Sequence, residues 1–559
     1  MVTLDTQLSK IQDAIGKKIS AKDLEDVLFD IGMELDEVVD DEIKIDITPD
    51  RPDMVSVQGV ARALRSYMKI RPGLSEYKII HSNEKIIVDK STATVRPFTL
   101  AAIVKGLVFD EEKIKELIWV QEKLHATFAR GRRKAAIGIY PYEQIKPPIR
   151  YIAEDPKKIK FMPLDFDKVL SGEDILEKHP TGQQYAHLLR EHKKYPIFID
   201  SNNQVLSMPP IINSQKLGKV TESTKEVFIE CSGWDVNALR SVLNLIVTIL
   251  ADMGGKVYSV DVDYPDRKIT TPNLEPEKRK IAVNYVNRHI GINLDAKGMK
   301  ECLEMMGYGV VETKKGMLTI LVPAYRVDIL HDVDVADDVA RAYGFENIKL
   351  EVPNIATVGD TTEESDLKMT VFEQMVGLGY QEIITHIITS KEEQHIKMNL
   401  KERPHINLGD SQEKSFNMLR SWLIPSIMKS LANNKHHEYP QKLFEVDSVL
   451  KPDKKLDTGC GQSLNLAAVS AHTNSDYTEI KGVVERLLEN IVGIDIVFKE
   501  HEDPSFISGR CSKIVLGEIE IGVIGEMHPQ VLNNWGIDVP VCGAEISLSE
   551  IMDFMSRQR

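Results

Sequence analysis

The sequence predicts a multidomain α+β chain, and three observations carry that reading. The first is length: 559 residues, at roughly 100–200 residues per domain, imply about three to five domains. The second is a recurring local grammar, in which an amphipathic helix ends at a glycine and gives way to an alternating strand. The third is a set of composition shifts. Residues 71–90 are polar and mixed, and 262–279 (DVDYPDRKITTPNLEPEK) and 351–366 (EVPNIATVGDTTEESD) read as proline-bearing, charged linkers. These shifts divide the chain into 1–85, 86–268, 269–350 and 351–559.

The grammar is plainest near the start. Ser20 is a good N-cap, and Asp23 favours the positive end of the helix dipole. Leu24, Val27, Leu28 and Ile31 keep the spacing of a buried stripe, and Gly32 stops the helix. The strand DEIKIDIT follows, and TPDRPDM makes a turn. Asp295 opens a second such helix with the stripe Met299, Cys302, Leu303 and Met306, closed at Gly307. VFEQMVGLGYQEIIT, near residue 370, is a third. Helix, glycine, strand is a common way to end a helix, so these are not taken as repeats.

Composition excludes several function classes. The net charge of −15 argues against binding nucleic acid through a broad basic field. Cys231, Cys302, Cys460, Cys511 and Cys542 show no CxxC spacing, hence no zinc signature, and reduced cytosolic thiols are expected. The opening MVTLDTQLSKIQDAIG lacks a basic region followed by an apolar run, so no secretory leader is expected. The most apolar stretch, Val242 to Ala251, falls short of the roughly 20 residues a membrane span needs.

The sharpest local signal is RVDILHDVDVADDVARAYG, Arg326 to Gly344. Asp334, Asp337 and Asp338 stand at i, i+3 and i+4, and Asp328 lies six residues before Asp334. Val335, Val339 and Tyr343 form the opposite, buried stripe. Acids at a helix start are favoured by the dipole, so a solvated helix N-terminus accounts for the cluster. Four converging carboxylates equally suit a hard cation, magnesium or calcium.

The pattern D-x5-D-x2-D-D before a helix ending in Tyr-Gly resembles the magnesium site of phenylalanyl-tRNA synthetase β subunits, where Glu usually replaces Asp337. The likeness spreads over the chain. ITPDRPDMVSVQGVARAL (Ile47 to Leu64) is similar to the N-terminal signature of the archaeal and eukaryotic form. RGRRKAAIGIY, HPTGQQYAHLL and VLSMPPIINS resemble stretches of that family's editing domain. RKIAVNYVNRHIGINL to LTILVPAYR fits its small winged-helix-like domain. MLRSWLIPSIMKSLANN, KLFEVDSVL, FISGRCSKIVLG and IGEMHPQVLNNWGI resemble its catalytic-like module.

The resemblance implies an N-terminal α+β domain (1–85), an editing domain (86–268), a winged-helix-like magnesium-binding domain (269–350) and a degenerate class II synthetase module (351–559). It implies a cytoplasmic ligase subunit in an α2β2 heterotetramer. There the catalytic α subunit takes ATP and phenylalanine, and this chain hydrolyses mischarged Tyr-tRNA(Phe). The other class it leaves open is a free-standing tRNA-binding scaffold or trans-editing deacylase. An apolar pocket rejects an added hydroxyl only about 100-fold, which is why a phenylalanine enzyme needs a second, hydrolytic site.

The implied editing residues are Ser207, Asn213 and Asp235, with Ser214, His125, His179 and Tyr185 behind them. Arg130, Arg132, Arg133 and Lys134 would hold the tRNA acceptor end, and Asp328, Asp334, Asp337 and Asp338 would hold Mg2+. Pro141, Tyr142, Ser232 and Trp234 depart from the family pattern, and a Trp at 234 could narrow the pocket. The final segment offers Arg420 in a motif-two-like strand but no glycine-rich stretch followed by an arginine-bearing helix. It therefore reads as a partner of the ligase site and not the site itself.

Overall fold

The computed structural model describes residues 2–314, 316–409, 411, 413, 416–493 and 496–558. They fall into two compact units, Met1–Val352 and Pro353–Arg559.

The first unit opens with a three-stranded antiparallel sheet whose central strand, Glu42–Ile47, lies between Val2–Gln7 and Glu34–Val39. Ser20 Oγ accepts the Asp23 N–H at 3.1 Å and starts helix Ala21–Asp30, which buries Leu24 and Leu28. One apolar cluster runs from Leu4, Leu24 and Ile45 through Leu243 and Ile246 to Leu303, Ile320 and Val335. The segments 1–85, 86–268 and 269–350 thus share a core, which ties them more closely than their linker-like boundaries suggest.

Between them lie two facing sheets. The five-stranded sheet has the order Ile79–Ile80, Lys256–Tyr258, Phe98–Lys105, Glu226–Gly233, Ala135–Pro141. The seven-stranded sheet has the order Ile212–Asn213, Val205–Met208, Tyr195–Ile199, Ile149–Glu154, Lys85–Val88, Val260–Asp263, Lys268–Thr271. Ile103, Tyr140 and Phe228 from the first meet Ile86, Tyr151, Phe198 and Val262 from the second. Burial of each such side chain is worth about 1.5–3 kcal/mol. Strand alternation splits Glu226–Gly233 into two faces. Val227, Ile229 and Cys231 join the shared core with helices Glu111–Ala126 and Val236–Asp252, and Phe228 turns to the other sheet.

Residues 277–343 form a three-stranded sheet, with Met317–Val322 central, and helices Val283–Ile290, Ala296–Met305 and Asp332–Tyr343. Asp295 caps the second of these through the Gly298 N–H at 2.7 Å.

A buried ionic network locks these parts together. The turn predicted at TPDRPDM closes through a bidentate Arg51–Asp53 pair at 2.9 Å. Burial alone would raise the Asp53 carboxyl, but Arg51, Arg326 and Arg62 together hold it below the usual range. Arg62 donates to Asp252 at 2.6 Å, to Tyr77 Oη at 3.1 Å and to the Asp53 carbonyl at 3.2 Å, and its guanidinium lies 3.8 Å over the Tyr325 ring.

The second unit is built on a seven-stranded sheet. Its order is Gln381–Glu382, Gln441–Pro452, Cys460–Ala471, Val541–Ser547, Ile519–Met527, Phe506–Leu516, Ile496–Glu500. All neighbours run antiparallel except the first pair. Helices Glu363–Gly377, Tyr477–Val492 and Leu548–Gln558 cover one face with Val371, Val484, Leu488 and Ile551. Ile424–Asn433 and Pro529–Trp535 cover the other with Ile427, Met428 and Val531.

Candidate functional site

A cleft of about 520 Å³ opens beside the edge strand Ala135–Pro141 of the five-stranded sheet. One wall is apolar, from Ile114, Leu117 and Ile118 on helix Glu111–Ala126 with Ile137 and Ile139 on the strand. The other side is the turn between Val205–Met208 and Ile212–Asn213, which brings Ser207 and Asn213 into register opposite each other.

The chemistry of the cleft centres on a residue the sequence reading missed. Glu230 lines it and is 1 % exposed. Tyr140 Oη donates to Glu230 Oε1 at 3.0 Å and stands 2.7 Å from Ser207 Oγ and 3.4 Å from Asn213 Oδ1. Glu230 Oε2 is buried without a hydrogen-bond partner. Burial pushes the Glu230 carboxyl up to about 8, against the opposing pull of Tyr140, Arg96 and Ser232. It is therefore mostly protonated at neutral pH, able to donate as well as accept. Gly138 makes this possible. It pairs with Glu230 across the strands, and a Cβ there would stand 2.2 Å from Tyr140 Oη and 2.5 Å from Glu230 Oε1.

Arg132 forms part of the wall. Its Nη1 donates to the Ile211 and Pro210 carbonyls at 2.8 and 3.2 Å, its Nη2 to Glu122 at 2.8 Å, and its guanidinium lies 4.3 Å over the Tyr185 ring. It fixes the turn that carries Ser207 and Asn213, and it is buried. The expectation that it grips phosphate with its neighbours is corrected accordingly. Arg130 and Arg133 are exposed and Lys134 is half-buried. His125 is buried, accepts the Ile137 N–H on Nε2 at 2.9 Å and faces Glu122 with Nδ1 at 3.3 Å. Burial pushes its imidazole down, so it is neutral and supports the strand.

Other expected site residues lie elsewhere. Asp235 does not line the cleft. Its Oδ1 accepts the Asn237 and Ala238 N–H groups at 2.9 and 3.3 Å as the N-cap of helix Val236–Asp252. Ser214 accepts the Leu217 N–H, and His179 caps helix Pro180–Tyr185 with Nε2 3.0 Å from the Leu164 carbonyl. Pro141, Tyr142 and Trp234 are not among the cleft-lining residues, and Trp234 is 49 % exposed, so it does not narrow the cleft.

The four aspartates expected to share magnesium do not form a common ligand set. Arg326 holds Asp328 at 2.7 and 2.9 Å and Asp338 at 2.7 Å, and Tyr308 also donates to Asp338. Asp334 accepts the Leu330 and His331 N–H groups at 2.7 and 2.6 Å, and Asp337 is exposed and pairs with Arg341 at 2.8 Å. Asp338 belongs to the buried side of the helix, not to the acidic face read from spacing. Among the described residues no group of three or more His, Cys, Asp or Glu is placed to hold a metal ion. The donor set as it stands does not fit one.

In the second unit, Arg420 is fully buried. It donates to Glu445 at 2.7 Å, Asp447 at 2.6 Å and the Ser448 carbonyl at 3.0 Å. Glu545 is also buried and accepts the Leu423 and Ile424 N–H groups at 2.8 and 3.1 Å.

Comparison with known proteins places the chain in a family. Family models match at residues 1–69 (Phe-tRNA synthetase beta subunit B1 domain), 279–345 (tRNA synthetase B5 domain) and 348–548 (Phenylalanyl tRNA synthetase beta chain CLM domain). These modules define a component of an aminoacyl-tRNA synthetase. The phenylalanine–tRNA ligase beta subunit of Pyrococcus abyssi is 41 % identical over 98 % of this chain and 99 % of its own length. That of Pyrococcus furiosus is 40 % identical over 99 % of this chain and 100 % of its own. A crystallised N-terminal fragment of the phenylalanyl-tRNA synthetase beta subunit from Pyrococcus horikoshii is 40 % identical, covering 61 % of this chain and 99 % of the fragment with a TM-score of 0.60. The chain belongs to the phenylalanine–tRNA ligase beta-subunit family.

Proposed function

We propose that the cleft hydrolyses Tyr-tRNA(Phe), and that the chain serves phenylalanylation by pairing with a catalytic α subunit. The observation that carries the first part is Glu230, a buried carboxyl at the cleft with one oxygen unpartnered. A tyrosyl hydroxyl joins the hydrogen-bonded group of Glu230, Tyr140 and Ser207, whereas a phenylalanyl ring brings it no partner, and sites built to bind a hydroxyl discriminate strongly against its absence. Ser207, Asn213 and Tyr140 complete the polar end that reads the hydroxyl. The apolar wall takes the ring.

Water is the nucleophile. It adds to the ester carbonyl carbon, the bond to the terminal ribose oxygen breaks, and that oxygen takes the proton, releasing tyrosine and uncharged tRNA. Gln121, Thr181 and Lys219 also line the cleft and are available to orient the water. No step is assigned to magnesium.

The second part rests on the second unit. Arg420 is tied to Glu445 and Asp447 and so is withheld from a triphosphate. Ile384, Ile387, Ile388 and Ile396 are exposed on the same unit and suit a partner's apolar surface. An α2β2 assembly, with ATP and phenylalanine on the α chains, follows from this reading.

Deacylation of Tyr-tRNA(Phe) by the complex with its α partner tests the cleft. Wild type is expected to hydrolyse it and to spare Phe-tRNA(Phe), and Glu230→Ala to lose about 100-fold or more in preference for tyrosine. A wild-type rate equal to that without protein, or an unchanged preference in Glu230→Ala, overturns the reading.

A further inference from the structure

The loop RGRRK divides its cations between two directions. Arg132 points inward to the cleft wall, where it is paired with Glu122. Arg130 and Arg133 are exposed and have no ion-pair partner among the described residues. The backbone is bent to achieve this. Arg130, Gly131 and Arg132 follow one another in the left-handed region, at φ 50°, 61° and 63°. Two of these carry side chains, which rarely adopt this conformation.

Trp234 stands beside this loop. Strand Glu226–Gly233 pairs Gly233 with Ala135, directly after Lys134. The backbones are close enough that a Cβ on Gly233 would meet the Lys134 carbonyl at 2.3 Å. Trp234 is the next residue and is 49 % exposed. The only carboxylate on this stretch, Asp235, is engaged by the first amides of the following helix, which offset its charge. On a chain of net charge −15 this is a local basic and aromatic spot, close to the cleft wall that Arg132 builds.

We infer that Trp234 with Arg130, Arg133 and Lys134 forms a stacking platform for an unpaired nucleotide of the tRNA 3′ end, just outside the cleft. Base–aromatic stacking tolerates any base, and unpaired arginines neutralise the flanking phosphates. The inference rests on the editing reading, which supplies the reason for a single-stranded 3′ end to pass here. It gives Trp234 a role outside the amino-acid pocket.

The test uses the full chain and a fluorescent RNA hairpin with a single-stranded CCA tail, beside the same hairpin without the tail. Trp234→Leu is expected to weaken binding of the tailed RNA about 5- to 100-fold, Trp234→Phe to recover most of it, and neither to change binding of the blunt hairpin. Arg133→Ala is expected to weaken binding and reduce the salt slope by about 0.7. Equal binding by Trp234→Leu and wild type overturns the platform, including the case where Arg133→Ala alone matters and the spot is charge only. Deacylation by wild type in the α-containing complex separates the two readings. Activity with no effect of Trp234→Leu on tail binding leaves editing standing and the platform lost. Tail discrimination without deacylation does the reverse.

Discussion

Glu230 sets a pH dependence whose sign follows from burial. Its folded carboxyl is raised to about 8, whereas in an unfolded chain it titrates near the ordinary value of 4.5. Between those values the folded state holds a proton that the unfolded state has released. The associated stability is fully present below the ordinary range and is lost as pH rises through about 8. A tenfold difference in proton affinity between the two states is worth about 1.4 kcal/mol, so the loss amounts to a few kcal/mol. Denaturant unfolding of the first unit at pH 6 and pH 9 is expected to show this loss in wild type and a smaller one in Glu230→Gln. Equal losses in the two proteins would count against a buried, protonated Glu230. Asp334 makes a second case at this scale. Its carboxylate accepts two amides at the start of helix Asp332–Tyr343, so Asp334→Ala is expected to cost about 0.5–2 kcal/mol as a lost cap. Magnesium titrated into the isolated chain is expected to give the same heats with and without that substitution. A magnesium-dependent heat present only in wild type would show that the aspartates rearrange around an ion.

The edge strand Ala135–Pro141 converts this residue chemistry into a site. Gly138 leaves room for Tyr140 Oη to reach Glu230, so Gly138→Ala must push one of them aside. A displacement of about 1 Å commonly costs 100-fold in rate, and deacylation of Tyr-tRNA(Phe) is expected to fall on that order while phenylalanylation by the αβ complex is kept. Intact deacylation in Gly138→Ala would mean that the Tyr140–Glu230 contact is dispensable. Elements of this kind were partly legible in the sequence. Ser20 and Asp295 announced their helices, and VLSMPPIINS supplied Ser207 and Asn213 to the cleft. Glu230 also left a trace, a lone carboxylate inside the apolar strand EVFIECSG. That trace was readable only by asking which face each residue takes. Asp235, expected at the cleft, is the N-cap of the helix that VNALRSVLNL opens and is not among the cleft-lining residues. Asp337 and Asp338 are neighbours on a helix and so diverge by about 100°, which sends one to solvent and one to Tyr308 and Arg326. The network around Arg62 could not be read, since Asp252 lies 190 residues away.

At the scale of the molecule, each of the two units holds a buried ionic arrangement of its own. In the first, Arg62 ties the N-terminal turn to Asp252 and Tyr325, so Arg62→Ala leaves Asp252 without its cation. A loss of about 3–5 kcal/mol in denaturant unfolding is expected, as for other broken buried pairs, and a loss under about 1 kcal/mol would show the network to be incidental. In the second, a buried cation ties the seven-stranded sheet together. Arg420 is fully buried between Glu445 and Asp447, and Glu545 on a neighbouring strand binds the start of helix Ile424–Asn433. A triphosphate brought to this region would find Arg420 already engaged by Glu445 and Asp447, with no charge left to receive it. The isolated chain is therefore expected to give no phenylalanine-dependent pyrophosphate exchange with ATP, and addition of the catalytic α subunit is expected to restore it. Substituting Arg420→Ala should reduce the stability of the second unit and its recovery of exchange with the α subunit together, because the cation acts through the fold. Robust exchange by the isolated chain would overturn the division of labour. Exchange by the complex that survives Arg420→Ala with unchanged stability would overturn the structural role given to Arg420.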